Sequence, residues 1–323
     1  MTSTGTTMRA VQYDRYGPPE VLYIAHRPVP PVQADEVLVR VAATTVNGGE
    51  LFGRDGRLRL FLKRGFPKRV GLEFVGEVVA TGHAVTDLTM GSRVWGTVPE
   101  PTLGAAAEYV ATPAWRVGPA PSNLSDVDAV SLIAGGTTAL TGLREHVRLQ
   151  PGERVLIRGA AGGVGSVAVQ VAKLLGARVT ALAGGGAQDF VRELGADEVL
   201  DYTVTGPADL GNYDAVIDIV GRQQWQYRRL LAPGGRMVAI GLDVDHMLRS
   251  FGYVALSAMH GSRRVRFFRG RPDRRLLTEL TEHAEQGSLR PVVDRIYELD
   301  RIAEAHRALT AGGVRGKLVV SVS

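Results

Sequence analysis

Cysteine is absent from the 323 residues, which excludes disulfides and every zinc site built on thiolate ligands. A reducing, cytoplasmic setting suits such a chain. Long apolar runs are absent too: no stretch approaches the ~20 consecutive residues needed to span a bilayer, so no membrane partner is expected. Residues 1–7 are rich in Ser, Thr and Gly, with neither a basic nor an apolar segment, and are expected to form a flexible tail rather than a signal peptide. Aromatic residues make up only 6% and are few beside the basic clusters, so a stacking platform for bases, and hence nucleic acid, is not the expected partner. No solenoid-period repeat and no low-complexity tract occurs, which sets aside repeat and disordered architectures.

What is present is enough chain for two cores. The net charge of +5 leans toward anionic ligands. Two clusters concentrate it: Arg54, Arg57, Arg59, Lys63, Arg64, Lys68 and Arg69, then Arg263, Arg264, Arg266, Arg269, Arg271, Arg274 and Arg275. Each reads either as solvated surface or as attraction for an acidic partner. Residues 1–124 are β-rich, with alternating runs at 36–41 and 76–80 bounded by Gly, Pro and Asp, and predict a small barrel or sandwich. After a hinge-like segment at 119–123, strands (154–158, 178–182, 198–201, 214–220, 236–240) alternate with helices (164–175, 189–194). That alternation predicts an α/β fold with a doubly wound parallel sheet over 125–286. A helix (276–286), a strand (292–297), a helix (300–310) and a strand (317–322) follow, and 287–323 is expected to complete the first domain. Residues 265–268 read as an edge strand suited to pairing with a second copy.

The chemistry-bearing motif lies at 155–165, Val-Leu-Ile-Arg-Gly-Ala-Ala-Gly-Gly-Val-Gly. A strand enters a glycine-rich turn and a helix opens at about Val164. Gly162 lets the backbone approach a pyrophosphate, and Gly165 lets the helix pack close to the strand. The helix start adds free N–H groups and a positive dipole end. Ala160 replaces the first glycine of G-x-G-x-x-G, but the strand before, the helix after and a second strand beyond support dinucleotide binding. NAD sites usually place an acid at the end of that second strand; here stands Ala183, followed by three glycines. NADPH is favoured on that missing acid, with Tyr202, Arg178 or Arg192 as candidate contacts.

At this point the chain resembles the zinc-independent quinone oxidoreductases of the medium-chain dehydrogenase/reductase superfamily. The resemblance rests on 46–50 (Val-Asn-Gly-Gly-Glu), 71–76 (Gly-Leu-Glu-Phe-Val-Gly), 107–110, 135–139 (Gly-Gly-Thr-Thr-Ala), the glycine turn, 194–197, 290–293 and 315–320. It implies a GroES-like catalytic domain, a nicotinamide cofactor in the interdomain cleft and frequent dimers. By resemblance, Asn47 lies near the nicotinamide ribose and Thr137 near the carboxamide or phosphates. Gly162, Gly163, Val164 and Gly165 cradle the pyrophosphate, Gly241 lines the nicotinamide side, and Lys317 approaches the phosphates. Zinc-bearing relatives use Gly-His-Glu where this chain has Gly71-Leu72-Glu73, so the imidazole ligand is missing and no metal is expected. Phe52 stands where quinone-reductase relatives often have Tyr, which removes a candidate phenol.

These readings predict an enzyme that passes hydride from NADPH to a quinone or small enone or carbonyl. The cofactor carries the chemistry and the protein supplies orientation, dryness and donors for developing charge. Asn47 reads as an oxyanion donor or as a simple turn residue. Glu50 reads as fixing the local hydrogen-bond network or as a surface carboxylate. Tyr109 is a substitute phenol or strand packing, and the seven histidines read as surface or satisfied. Two alternatives stand beside this: a reductase of enoyl thioesters or a biosynthetic intermediate, whose phosphate the 54–69 cluster would greet, and an NADPH-binding regulatory or RNA-binding protein with vestigial activity.

Overall fold

Strands β1 (Thr7–Tyr13) and β2 (Tyr23–Pro28) pair antiparallel, and β3 (Glu36–Thr45) follows. Alternation along β3 buries Val37, Val39 and Val41 and leaves Arg40 outside. Helix α1 (Gly48–Arg54) and β4 (Lys68–Arg69) lead to β5 (Glu73–Thr81), β6 (Arg93–Thr97), β7 (Tyr109–Pro113) and β8 (Val117–Pro119). β3 pairs antiparallel with both β5 and β7, and β6 links β5 to β8. Phe74, Val78, Val94, Val110 and Val117 meet β3 in the core of this β-rich unit.

Helix α2 (Asp126–Leu140) precedes the parallel sheet. Its strands are β9 (Arg154–Arg158), β10 (Arg178–Ala183), β11 (Glu198–Asp201), β12 (Tyr213–Asp218), β13 (Leu231–Ala239) and β14 (Val265–Phe267). Among the described residues their order is β11-β10-β9-β12-β13-β14, every pairing is parallel, and β14 is an edge. Helices α3 (Gly165–Leu174), α4 (Gln188–Glu193) and α5 (Gln224–Arg228) make the crossovers. This is the doubly wound sheet with reversal of strand order at β9, beyond whose carboxyl end such folds bind ligands.

Helix α6 (Arg274–Glu285), β15 (Val293–Glu298), α7 (Ile302–Ala311) and β16 (Lys317–Ser321) finish the chain. β16 lies antiparallel against β3, so this strand belongs to the first unit. By their contacts the residues form two units, 1–133 with 272–287 and 291–323, and 134–271 with 288–290. That division differs from the expected boundaries in carrying α2 to residue 133 and in giving 272–287 to the first unit. The reason is the stripe Leu276, Leu277, Leu280 and Ala284, buried on α6, with Leu277 so close to Gly118 that a Cβ there would stand 2.8 Å away. Each such leucine contributes about 2 kcal/mol by burial. Asp273 caps the helix on the Leu276 amide, and Arg274 bonds the Val117 and Ala114 carbonyls at 3.0 Å.

The computed structural model describes residues 6–322 except 62–63, 101, 247–249, 251, 254–255, 258–264, 269 and 271. Residues 1–5 of the expected tail, and Lys63, Arg263, Arg264, Arg269 and Arg271 of the basic clusters, lie outside the described residues.

Candidate functional site

The glycine turn leaves β9 at Arg158 and enters α3 at Gly165. A Cβ at Gly165 would fall 2.0 Å from the Gly159 carbonyl, so only glycine allows this close approach of helix to strand. At Gly162 the nearest atom to such a Cβ is 3.7 Å away, which leaves that side of the turn open. The first bond of the helix runs from the Ser166 amide to the Gly162 carbonyl at 2.8 Å. The amides of Gly163, Val164 and Gly165 precede it and have no acceptor among the described residues. Ser166 is buried and its hydroxyl has no partner. Open amides, a helix start and an orphaned hydroxyl fit a pyrophosphate.

Thr137 lies on the part of α2 that packs here: a Gly135 Cβ would stand 2.4 Å from the Gly163 carbonyl. Ala183 ends β10, and its carbonyl accepts from the Tyr202 amide at 3.2 Å. The Tyr202 ring is exposed, 3.6 Å from where a Gly184 Cβ would be. The same corner holds a residue the sequence reading missed. Asp201 pairs with Ala183 across the strands, and its Oδ2 is 2.6 Å from the position of a Gly185 Cβ. A carboxylate therefore does reach the end of β10, from the neighbouring strand. Its Oδ1 accepts from the Thr203 amide and hydroxyl at 2.9 and 2.8 Å.

Gly241 follows β13, its amide on the Asp218 carbonyl at 3.2 Å and its carbonyl accepting from Gln224 at 3.2 Å. Asp218 is fully buried and accepts from Arg158 Nη1 at 2.7 Å and from the Val220 and Gly221 amides at 3.1 Å. Arg158 also donates to the Arg222 carbonyl at 2.9 Å and lies 3.6 Å above the Tyr227 ring. Burial raises the pKa of Asp218, with Arg158 opposing it. This ion pair, hidden in a run that reads as a plain apolar strand, fixes the ends of β9 and β12 next to the turn. Beside it a cavity of about 520 Å³ is walled by Gly221, Gln224, Trp225 and Asp243, among others.

In the first unit the chemistry gathers around Glu73, at the start of β5 and fully buried. Lys317 opens β16, and its Nζ donates to Glu73 Oε1 at 2.5 Å, Asn47 Oδ1 at 2.7 Å and Thr45 Oγ1 at 3.1 Å. Thr45 donates in turn to Glu73. Asn47, the residue before α1, points its Nδ2 at Glu50 Oε1 (3.1 Å) and Glu73 Oε1 (3.3 Å). Glu50 Oε2 accepts from the Gly71 amide at 2.7 Å, on a turn that requires glycine because its φ is +88°. Glu50 is thus a buried member of this network rather than a surface carboxylate, and burial pushes its pKa up to about 7 against the Gly71, Asn47 and Lys317 contacts that favour its anion.

Lys317 corrects the expectation of a phosphate ligand: all three of its ammonium donors already have acceptors in this network. Arg54 departs from the solvated-surface reading. It is buried, bonds the Gly17 carbonyl at 3.2 Å and meets His306 Nδ1 at 3.3 Å. His306 is neither a surface nor a satisfied histidine, since it is fully buried with Nε2 unpartnered, and burial beside Arg54 holds its pKa down at about 3. Arg57 bonds Asp55 at 2.7 Å and stacks 4.4 Å from the Phe52 ring centroid. Among the described residues no group of three or more His, Asp or Glu could hold a metal, and no helix is long and apolar enough to cross a membrane.

Known families match both parts of the chain: Alcohol dehydrogenase GroES-like domain over residues 33–122, and Zinc-binding dehydrogenase over 194–320. A chloroplastic quinone-oxidoreductase, QR1 of Triphysaria versicolor, is 32% identical over 98% of this chain and 99% of its own length. The chloroplastic NADPH-dependent alkenal/one oxidoreductase of Arabidopsis thaliana is 31% identical over 97% of this chain and 79% of its own. Among solved structures, the quinone oxidoreductase from Coxiella burnetii superposes with a TM-score of 0.89 at 30% identity, covering 98% of this chain and 100% of that one.

Proposed function

The chain belongs to the zinc-independent quinone oxidoreductase family of the medium-chain dehydrogenase/reductase superfamily, and from that premise we propose an NADPH-dependent reductase of quinones and small enones or carbonyls. The observation that carries the cofactor half of the reading is the glycine turn, where three open amides and the Ser166 hydroxyl await oxygen acceptors. When bound, the reduced nicotinamide supplies a hydride and leaves oxidised by two electrons. The chain's own residues bind, orient and manage charge.

Gly162, Gly163, Val164 and Gly165 grip the pyrophosphate, while Thr137, Gly241, Ala183 and Tyr202 surround other parts of the dinucleotide. The preference for NADPH rests on Ala183, which brings no carboxylate of its own to the 2′ position; Asp201 tempers it. Asn47 has its amide nitrogen aimed at two carboxylates and its oxygen at Lys317, so its orientation is fixed before any ligand arrives. On this reading Asn47 meets the ribose through the second lone pair of its Oδ1, since both Nδ2 hydrogens already have carboxylate acceptors, and Glu50 is the titrating group behind it. A carboxyl poised near neutrality both gives and takes a proton at working pH. Leu72 and the Lys317 ammonium beside Glu73 make no ligand set for zinc.

Small acceptors are the substrate class, the cytoplasm the compartment that the cysteine-free composition suits, and a homodimer through the β14 edge the assembly. Light scattering tests the last point. The deciding experiment is fluorescence titration with NADPH and NADH, then anaerobic turnover of a quinone and an alkenal panel. Micromolar binding, tighter for NADPH, and reduction of at least one panel are expected; no binding and no turnover overturn the reading.

A further inference from the structure

The first unit contains a cavity of about 260 Å³ whose wall includes Glu50. One side is α1, where Gly49 and Gly53 present no side chain. Tyr13 and Phe66, with ring centroids 6.0 Å apart and edge to face, form an apolar wall. The remaining rim carries Arg64, Lys68 and Arg69 against a single further acid, Glu100. Arg69 differs from the other arginines of its cluster in being both partly buried and unpartnered, since Arg59 and Arg64 are exposed. Arg54 meets a carbonyl and His306, and Arg57 meets Asp55, but the Arg69 side chain has no hydrogen-bond or ion-pair partner among the described residues. It is only partly exposed, and its guanidinium is wedged against Gly104, where a Cβ would stand 3.1 Å from Cζ.

Withdrawing a guanidinium from water without an acceptor is unfavourable. Burial and the neighbouring Arg27 both lower its pKa. A planar fork of donors at the rim of a half-open cavity with an aromatic wall matches a carboxylate or phosphate on a small organic molecule.

We infer that this cavity is an acceptor site that selects molecules with an anionic head group, bound by Arg69. The inference rests on the reductase reading above and adds the substrate's charge to it. Carboxylates and phosphates share the required chemistry, and the tests separate them.

The experiment compares 4-oxo-2-pentenoate with its uncharged methyl ester, in the native protein, Arg69→Gln and Arg69→Lys. A KM at least tenfold lower for the acid is expected in the native protein. Arg69→Gln is expected to remove that advantage and Arg69→Lys to keep part of it. Equal KM for acid and ester in the native protein, or equal shifts of both on substitution, overturns the inference. A readout without turnover runs beside it: the heat-denaturation midpoint with succinate or with inorganic phosphate. A rise seen in the native protein and lost in Arg69→Gln supports the site, succinate alone pointing to free acids and phosphate alone to phosphate-bearing carriers. No rise with either, or the same rise in Arg69→Gln, counts against it. If neither pentenoate compound nor any member of the quinone and alkenal panels is reduced while the Arg69-dependent rise persists, the anion site stands and the reductase reading fails.

Discussion

Replacing Lys317 by Met tests the central electrostatic claim about the first unit. The ammonium and the Glu73 carboxylate are both buried, and Glu73 Oε1 also accepts from Thr45 and Asn47. Methionine keeps the volume of the stem and removes the charge, leaving a carboxylate with two neutral donors in a site shut off from water. Removing one partner of a buried pair costs about 3–5 kcal/mol, because the survivor loses its compensation without regaining solvent. Spread over the unfolding entropy of a chain this size, that is a drop of about 5 °C in the melting temperature. Glu73→Gln in the same background withdraws the stranded charge, so the double variant is expected to regain at least about 2 kcal/mol over Lys317→Met alone, a coupling of the kind that only contacting residues show. Urea unfolding reads this through Trp95, which is buried on β6 in the same unit. A loss below about 1 kcal/mol for Lys317→Met, or a double variant as unstable as the two single losses added together, would refute the pairing as a source of stability.

Three further outcomes follow from the same geometry. Gly165→Ala sets a Cβ on the Gly159 carbonyl, and is expected to cost about 1–3 kcal/mol and to weaken NADPH binding at least about tenfold, read by calorimetry and fluorescence titration. Glu50, raised from 4.5 to about 7, makes a stability contribution that is complete below pH ~4.5 and lost as pH rises through 7. That loss is on the order of 3 kcal/mol; Glu50→Gln is expected to flatten it, and identical urea midpoints against pH in both proteins would contradict the assignment. Asp201→Asn is expected to shift the ratio of NADPH to NADH affinities about three- to tenfold toward NADPH, by removing a charge worth about 1 kcal/mol at that range; an unchanged ratio would place the 2′ position elsewhere.

Much of the parallel sheet was legible because its signals are local. The β-branched runs at 154–158 and 198–201 end where the turn glycines and Asp begin, and the observed strands share those limits. Helix α1 was not legible: Gly48-Gly49 is a poor start, and the turn is held by burial of Leu51 and by Arg54 against His306, on a helix far along the chain. Asn47, Glu50 and Lys317 could each be singled out, yet nothing in the sequence said that they share one network with Glu73, because Lys317 and Glu73 are 244 positions apart. Asp201 escaped for a related reason. The expected acid belongs at the end of β10 itself, whereas this carboxylate crosses from β11 by strand register, a property of pairing and not of spacing. Arg158 was read as one more residue of a buried strand, since only its partner Asp218 on β12 makes a charge tolerable there.

The return of β16 to β3 has a consequence for biosynthesis. A chain emerging from the ribosome presents Glu73 well before Lys317, with the dinucleotide unit translated between them. Until β16 arrives, the β-rich unit would have to enclose an uncompensated anion or keep that seam hydrated, so the nascent chain is expected to hold the unit unlocked while the parallel sheet folds first. β16 then works as a latch, and its closure makes assembly of the network that contains Asn47 and Glu50 wait on translation of the dinucleotide unit.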